Sequence, residues 1–92
     1  MLEFEWSEEK NELLKNTRDV SFEELVQAYA SGAFYKIRPH PDVDKYPGQS
    51  LLIISIRGYI YCAPFVRKGS RVIFLKTLYK SRVFNNLYKS SK

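Results

Sequence analysis

The chain begins with a strict alternation. Leu2, Phe4 and Trp6 are separated by Glu3 and Glu5, the period-2 pattern of a short strand with one face buried. Ser7 then suits an N-cap, with Glu8 and Glu9 in the first turn where the helix dipole favours anions. Leu13 and Leu14 would supply the buried side of this helix, which runs to about Thr17. A second helix starts more clearly. Ser21 and Glu24 have the S-x-x-E spacing of a capping box, and Val20 and Leu25 stand where a hydrophobic staple needs them. Phe22, Leu25, Val26 and Tyr29 repeat at i, i+3, i+4, i+7, and Gly32 provides a stop.

Beyond Gly32 the pattern becomes strand-like. "AFYKIR" leads into the polar loop "PHPDVDKYPGQS", in which Pro47-Gly48 fits the central positions of a type II turn. "LLIISIR", "YIYCAPFV" and "RVIFLKTL" are β-rich runs separated by Gly58 and by "RKGS", both hairpin punctuation, so a meander of antiparallel strands is predicted. "SRVFNNLYK" reads as one or two helical turns capped by Ser81. The prediction is a single α+β domain over residues 1–92: two short N-terminal helices packed on a twisted antiparallel sheet of three to four main strands, with a short C-terminal helical segment.

Composition changes this picture mainly through charge. Residues 1–32 carry eight acids and three bases, whereas residues 33–92 carry twelve bases against Asp42 and Asp44, and from Lys45 to Lys92 there are ten bases and no acid. A one-signed field of that extent attracts polyanions: nucleic acid, or an acidic protein segment. Cys62 is the single cysteine, inside an apolar run, and reads as a small buried hydrophobe. The acidic N-terminus does not resemble a signal peptide, and no apolar run approaches the ~20 residues of a membrane span, so a soluble cytoplasmic chain is expected. No glycine-rich phosphate loop and no Ser/His/Asp or Cys/His set is legible. His40, with Asp42 and Asp44, is too sparse a donor set to predict a metal site, and it reads as a plain loop histidine or, less simply, an acid or base. No metal or other cofactor is expected.

The aromatic and basic residues of the second half suggest an RNA-contacting surface. Lys76 shares strand parity with Val72 and Phe74, so it either snorkels past a core edge or presents an ammonium group to a phosphate. Arg82 follows the Ser81 cap; guanidinium suits bidentate phosphate contact, and a plain solubilising role is the alternative. Arg57 ends one strand while Tyr59 and Tyr61 share a face of the next, offering a cation beside rings that either stack on bases or pack in the core. Tyr79 and Lys80 join Arg57 and Tyr61 in the predicted RNA-binding set.

The order "FEWSEEKN", "KNTRDVSFEE" and "IFLKTLYKSR" resembles the BrnT family of bacterial type II toxins over nearly the whole chain. The most specific piece is the N-terminal third, with an aromatic-x-Trp, a capping residue, Lys10 and the joint into "VSFEE". Where that family commonly has Trp-Asp and a His-Gly joint, this chain has Trp6-Ser7 and Arg18-Asp19, and both changes read as structural, since Ser caps as well as Asp and Asp tolerates left-handed backbone. After the last strand, where many members carry Arg and Glu, this chain has Lys76, Lys80, Arg82 and Lys89 with no Glu.

The resemblance implies a RelE-like outline, a metal-independent ribonuclease that blocks translation, and a ribbon-helix-helix antitoxin as partner, with room for a homodimer inside that complex. In such a reaction the RNA supplies its own 2′-hydroxyl nucleophile, so the protein must move protons and neutralise the phosphoryl oxygens. Lys76 and Arg82 are then the expected catalytic cations. A toxin-fold module that binds RNA or an acidic antitoxin segment without cleavage is the alternative, favoured by the missing Glu.

Overall fold

The computed structural model describes residues 2–89. Its elements, in chain order, are β1 (Glu3–Trp6), α1 (Glu8–Arg18), α2 (Phe22–Ala30), β2 (Phe34–Pro39), β3 (Ser50–Ile56), β4 (Tyr59–Arg67), β5 (Val72–Leu75), β6 (Tyr79–Lys80) and α3 (Arg82–Lys89).

The local signals act as read. The Ser7 hydroxyl accepts from the Lys10 N–H, Asp19 closes α1 in the left-handed region at φ 54°, and Ser21 and Glu24 form the reciprocal capping box. Gln49 N–H donates to the Tyr46 carbonyl across Pro47-Gly48, and Gly48 sits at φ 77°, as a type II turn requires. Arg57 and Gly58 both have positive φ between the paired Ile56 and Tyr59, a two-residue hairpin whose twist matches its strands.

One reading of α1 is corrected. Leu13 is 50% exposed, and Asn11 is buried beside Leu14 instead. Asn11 belongs inside because it has work at the joint: its Oδ1 accepts the Phe22 N–H at 2.8 Å and its Nδ2 donates to Glu23 at 2.7 Å. A buried amide satisfied on both sides costs little and fastens α1 to the first turn of α2.

The sheet differs from the expected antiparallel meander. It has six strands in the order β1-β5-β4-β3-β2, with β6 also paired to β4, and it is mixed because β1 runs parallel to β5. Pairing Glu3 with Val72 is invisible to hairpin logic, since the partner lies across most of the chain. The alternation of β1 was read correctly: Leu2, Phe4 and Trp6 pack on the core while Glu5 reaches Lys68 at 2.7 Å.

Both faces of the sheet are covered. Leu52, Ile54, Tyr61, Ala63 and Phe65 meet Leu14, Val20, Phe22 and Leu25 of the N-terminal helices. The alternate positions Leu51, Ile53, Ile60 and Cys62 form a second cluster beneath Phe84 and Tyr88 of α3. Continuous apolar runs such as "LLIISI" are what a strand buried on both sides demands. The C-terminal segment is therefore a structural layer, capped by the Ser81 hydroxyl accepting from Phe84 N–H and tied to β4 by Ile60 N–H donating to Asn85.

Candidate functional site

The run expected as one strand, "RVIFLKTL", breaks after Leu75. Phe65 faces Leu75 and Tyr61 faces Lys80, so four steps along β4 oppose five along the other side: one extra residue is inserted between β5 and β6. The side-chain parity shows the same slip. Ile73 and Leu75 point to the core and so does Leu78, three positions on, where an unbroken strand would turn it outward. Such bulges re-aim side chains and collect beside functional sites.

Two features hold the bulge. Lys76 N–H donates to the Pro64 carbonyl at 2.8 Å. Lys76 thus still opposes Pro64 in the β4–β5 register, and because a residue's N and O face the same neighbour in an antiparallel pair, Pro64 has no N–H to return to Lys76, so the regular ladder ends there and the extra residue follows. From α1, Arg18 donates through Nη1 to the Leu78 carbonyl at 2.9 Å and lies 3.4 Å from the Thr77 hydroxyl.

The bulge forms one wall of a cleft of about 480 Å³ lined by Lys10, His40, Tyr46, Gln49, Pro64, Lys76, Thr77 and Tyr79. Lys10 comes from the capped first turns of α1, and His40, Tyr46 and Gln49 come from the β2–β3 loop. That loop is organised by its own hydrogen bonds: His40 N–H to Gln49 O, Tyr46 N–H to Asp42 O, and Lys45 N–H to the Asp42 carboxylate. The His40 and Tyr46 rings are 4.5 Å apart. His40 Nδ1 accepts the Asp42 N–H at 3.0 Å, so in the neutral ring the proton resides on Nε2, a donor. Lys76 is exposed, with Nζ 5.6 Å from the Phe74 ring centre. Among the described residues no carboxylate lines the cleft, so the two ammonium groups meet no counter-charge from them within its walls.

A second cavity, of about 350 Å³, is lined by Arg18, Tyr61, Tyr79 and Lys80, and Tyr79 is common to both. Burial, with the neighbouring Cys62 thiol, pushes the Tyr79 hydroxyl well above its ordinary range, and burial also raises Tyr61. The Tyr79 hydroxyl is engaged by the Cys62 thiol.

The expected site residues divide between these places. Lys76 lines the cleft; Tyr79 lines both spaces; Tyr61 and Lys80 line the second. Tyr61 is only 4% exposed and is part of the core, so it offers no open stacking face. Arg82 is exposed as the first residue of α3 and lines neither space. Arg57 lies at the opposite end of β3, where its guanidinium donates to the Asp19 carbonyl and pairs with Glu24 at 3.1 Å and Asp19 at 3.6 Å. It is neutralised by the acidic joint and ties the β3–β4 turn to it.

Sequence reasoning passed over the meeting of His40, Tyr46 and Lys10 with Lys76. The available signal was Pro64, a proline inside what proves to be a central strand. Among the described residues no group of three or more His, Cys, Asp or Glu is placed to hold a metal ion, and no helix is long and apolar enough to cross a membrane.

No protein-family model matches the chain, and no curated protein matches its sequence. A structural comparison does find a match. The crystal structure of the Brucella abortus ribonuclease toxin BrnT aligns with a TM-score of 0.65, covering 88% of this chain and 97% of that one at 16% identity. At that identity the likeness is one of architecture: this chain has the fold of the Brucella ribonuclease toxin.

Proposed function

We propose that the protein is the toxin of a type II toxin–antitoxin pair and cleaves RNA without a metal ion in the cleft beside the Lys76 bulge. The observation that carries this reading is the convergence of Lys10, Lys76, His40, Tyr46 and Tyr79 in one carboxylate-free cleft. The BrnT-like fold supports it. As the 2′-oxygen bonds to phosphorus and the bond to the 5′-oxygen breaks, charge builds on the phosphoryl oxygens. Lys10 and Lys76 meet that charge as cations, and His40 Nε2–H with the Tyr46 hydroxyl as hydrogen-bond donors. The 2′-hydroxyl gives its proton to water and the departing 5′-oxygen takes one back from water, so that no net proton is consumed. In the same proposal, Arg82 and Lys80 extend the positive surface along the RNA, the chain works in the cytoplasm, and a ribbon-helix-helix antitoxin covers the basic face.

Expression without an antitoxin should arrest growth, and the purified protein should cut RNA in the presence of chelator. Lys76→Ala and His40→Ala should each lower cleavage by about 10²-fold or more while leaving the fold intact, by analogy with removal of one transition-state donor. Full activity in the double variant would refute the site. The absence of a carboxylate also favours a second reading, a module that binds RNA or an acidic antitoxin segment without cutting. Salt-dependent RNA binding with no cleavage would select it.

A further inference from the structure

The cavity beside the cleft carries a more specific inference. Its walls are Arg18, Tyr61, Tyr79 and Lys80, so it combines two aromatic rings with two cations, and it shares the Tyr79 ring with the cleft. Arg18 is held in place by the Leu78 carbonyl and Thr77, in the bulge that directly follows Lys76. Both anchoring bonds use Nη1. Lys80 Nζ lies 5.4 Å from the Tyr59 ring centre, beside the cavity and exposed.

The volume, about 350 Å³, falls at the small end of the roughly 300–1,000 Å³ range of small-molecule sites. That is room for one planar ring system. The charged groups around it are alike: a guanidinium and an ammonium, both donors, beside two tyrosines. Such a set matches acceptor-rich edges. A guanine presents O6 and N7 and a uracil presents two carbonyl oxygens, whereas adenine and cytosine place an exocyclic amine where these donors would meet it.

We propose that the Arg18–Tyr61–Tyr79–Lys80 cavity is a nucleobase subsite that receives a keto base, guanine or uracil, from the nucleotide whose phosphate occupies the Lys10–Lys76 cleft. Its place beside the phosphate rests on the RNA-cleaving reading above, but binding of the base can be measured whether or not the protein cuts.

The test uses the full-length wild-type protein and backbone amide NMR titrations with GMP, UMP, AMP, CMP and ribose 5-phosphate. GMP and UMP should shift the amides of Tyr61, Tyr79 and Lys80 together with those of His40 and Lys76, and should bind at least about fivefold more tightly than AMP and CMP, the lower end of what one good base-edge contact discriminates. Ribose 5-phosphate should move only the cleft residues. Lys80→Ala, at an exposed position, should weaken GMP while leaving ribose 5-phosphate unchanged, and Arg18→Lys should do the same if it folds. Equal affinity for all four nucleotides, or nucleotide shifts confined to the cleft, would overturn the subsite. Base-selective binding by a protein that cuts no RNA would keep the subsite and refute the cleavage reading.

Discussion

Replacing Asn11 by Ala tests whether one buried amide holds the two N-terminal helices, and through them the cleft, in place. Asn11 is 0% exposed, and its Oδ1 is the acceptor for the Phe22 N–H, a donor at the first turn of α2 with no helical partner of its own. Truncation leaves that N–H buried and unpaired, which costs about 1–3 kcal/mol. The second bond, Nδ2 to Glu23, adds little because Glu23 is exposed and water replaces its partner. For a domain of this size a loss of 2 kcal/mol lowers Tm by about 8–16 °C. Urea unfolding should show a lower midpoint with an unchanged slope. Asn11 also holds the Glu23 carboxyl below its ordinary range, chiefly through the Nδ2 hydrogen bond, so Glu23 should titrate closer to an ordinary glutamate in the variant. The sign follows: a lowered carboxyl stabilises the fold above its unfolded value, and that contribution fades as pH falls. Asn11→Asp separates the two bonds. It keeps an acceptor for Phe22 but sets a second carboxylate against Glu23, so it should be destabilised at pH 7 and recover towards pH 4. A loss below about 0.5 kcal/mol in Asn11→Ala, with Glu23 titrating as in the wild type, would refute this account of the joint.

Three further outcomes are expected. Leu78→Ala should cost about 2–5 kcal/mol in urea unfolding, because Leu78 is fully buried although it lies just beyond the inserted residue. Gly48→Val should destabilise the β2–β3 loop by about 1–2 kcal/mol, since Gly48 holds φ 77°, and should lower RNA cleavage by displacing His40 and Tyr46. Burial raises the Cys62 thiol, and burial with Cys62 raises Tyr79, so their stabilisation is complete below about pH 8.5 and is lost as pH climbs. Urea midpoints measured from pH 7.5 to 10.5 should fall from about pH 8.5, and Cys62→Ala should postpone that fall to the tyrosine range.

What the sequence determined was local. The Ser7 and Ser21 caps, the Pro47-Gly48 and Gly58 turns, and the alternation of Leu2, Phe4 and Trp6 each depend on residues a few positions apart, so they were legible without the fold. The basic half was legible too, but not which cations remain unpaired: Arg57 is answered by Asp19 and Glu24 from the acidic third, and Lys68 by Glu5. Tertiary structure decided the rest. The parallel β1–β5 pairing joins residues about seventy positions apart, and the placement of α3 on the second face followed from apolar runs that fit a buried strand without naming its cover. The cleft depends on one inserted residue. Strand parity places Lys76, which still opposes Pro64 in the β4–β5 register, whereas the slip that follows it and the reach of Arg18 set where Thr77 and Tyr79 stand beside Lys10 and His40. Caps and turns are short-range equilibria of the backbone; a site assembled from three distant segments exists only once the sheet has fixed their separation.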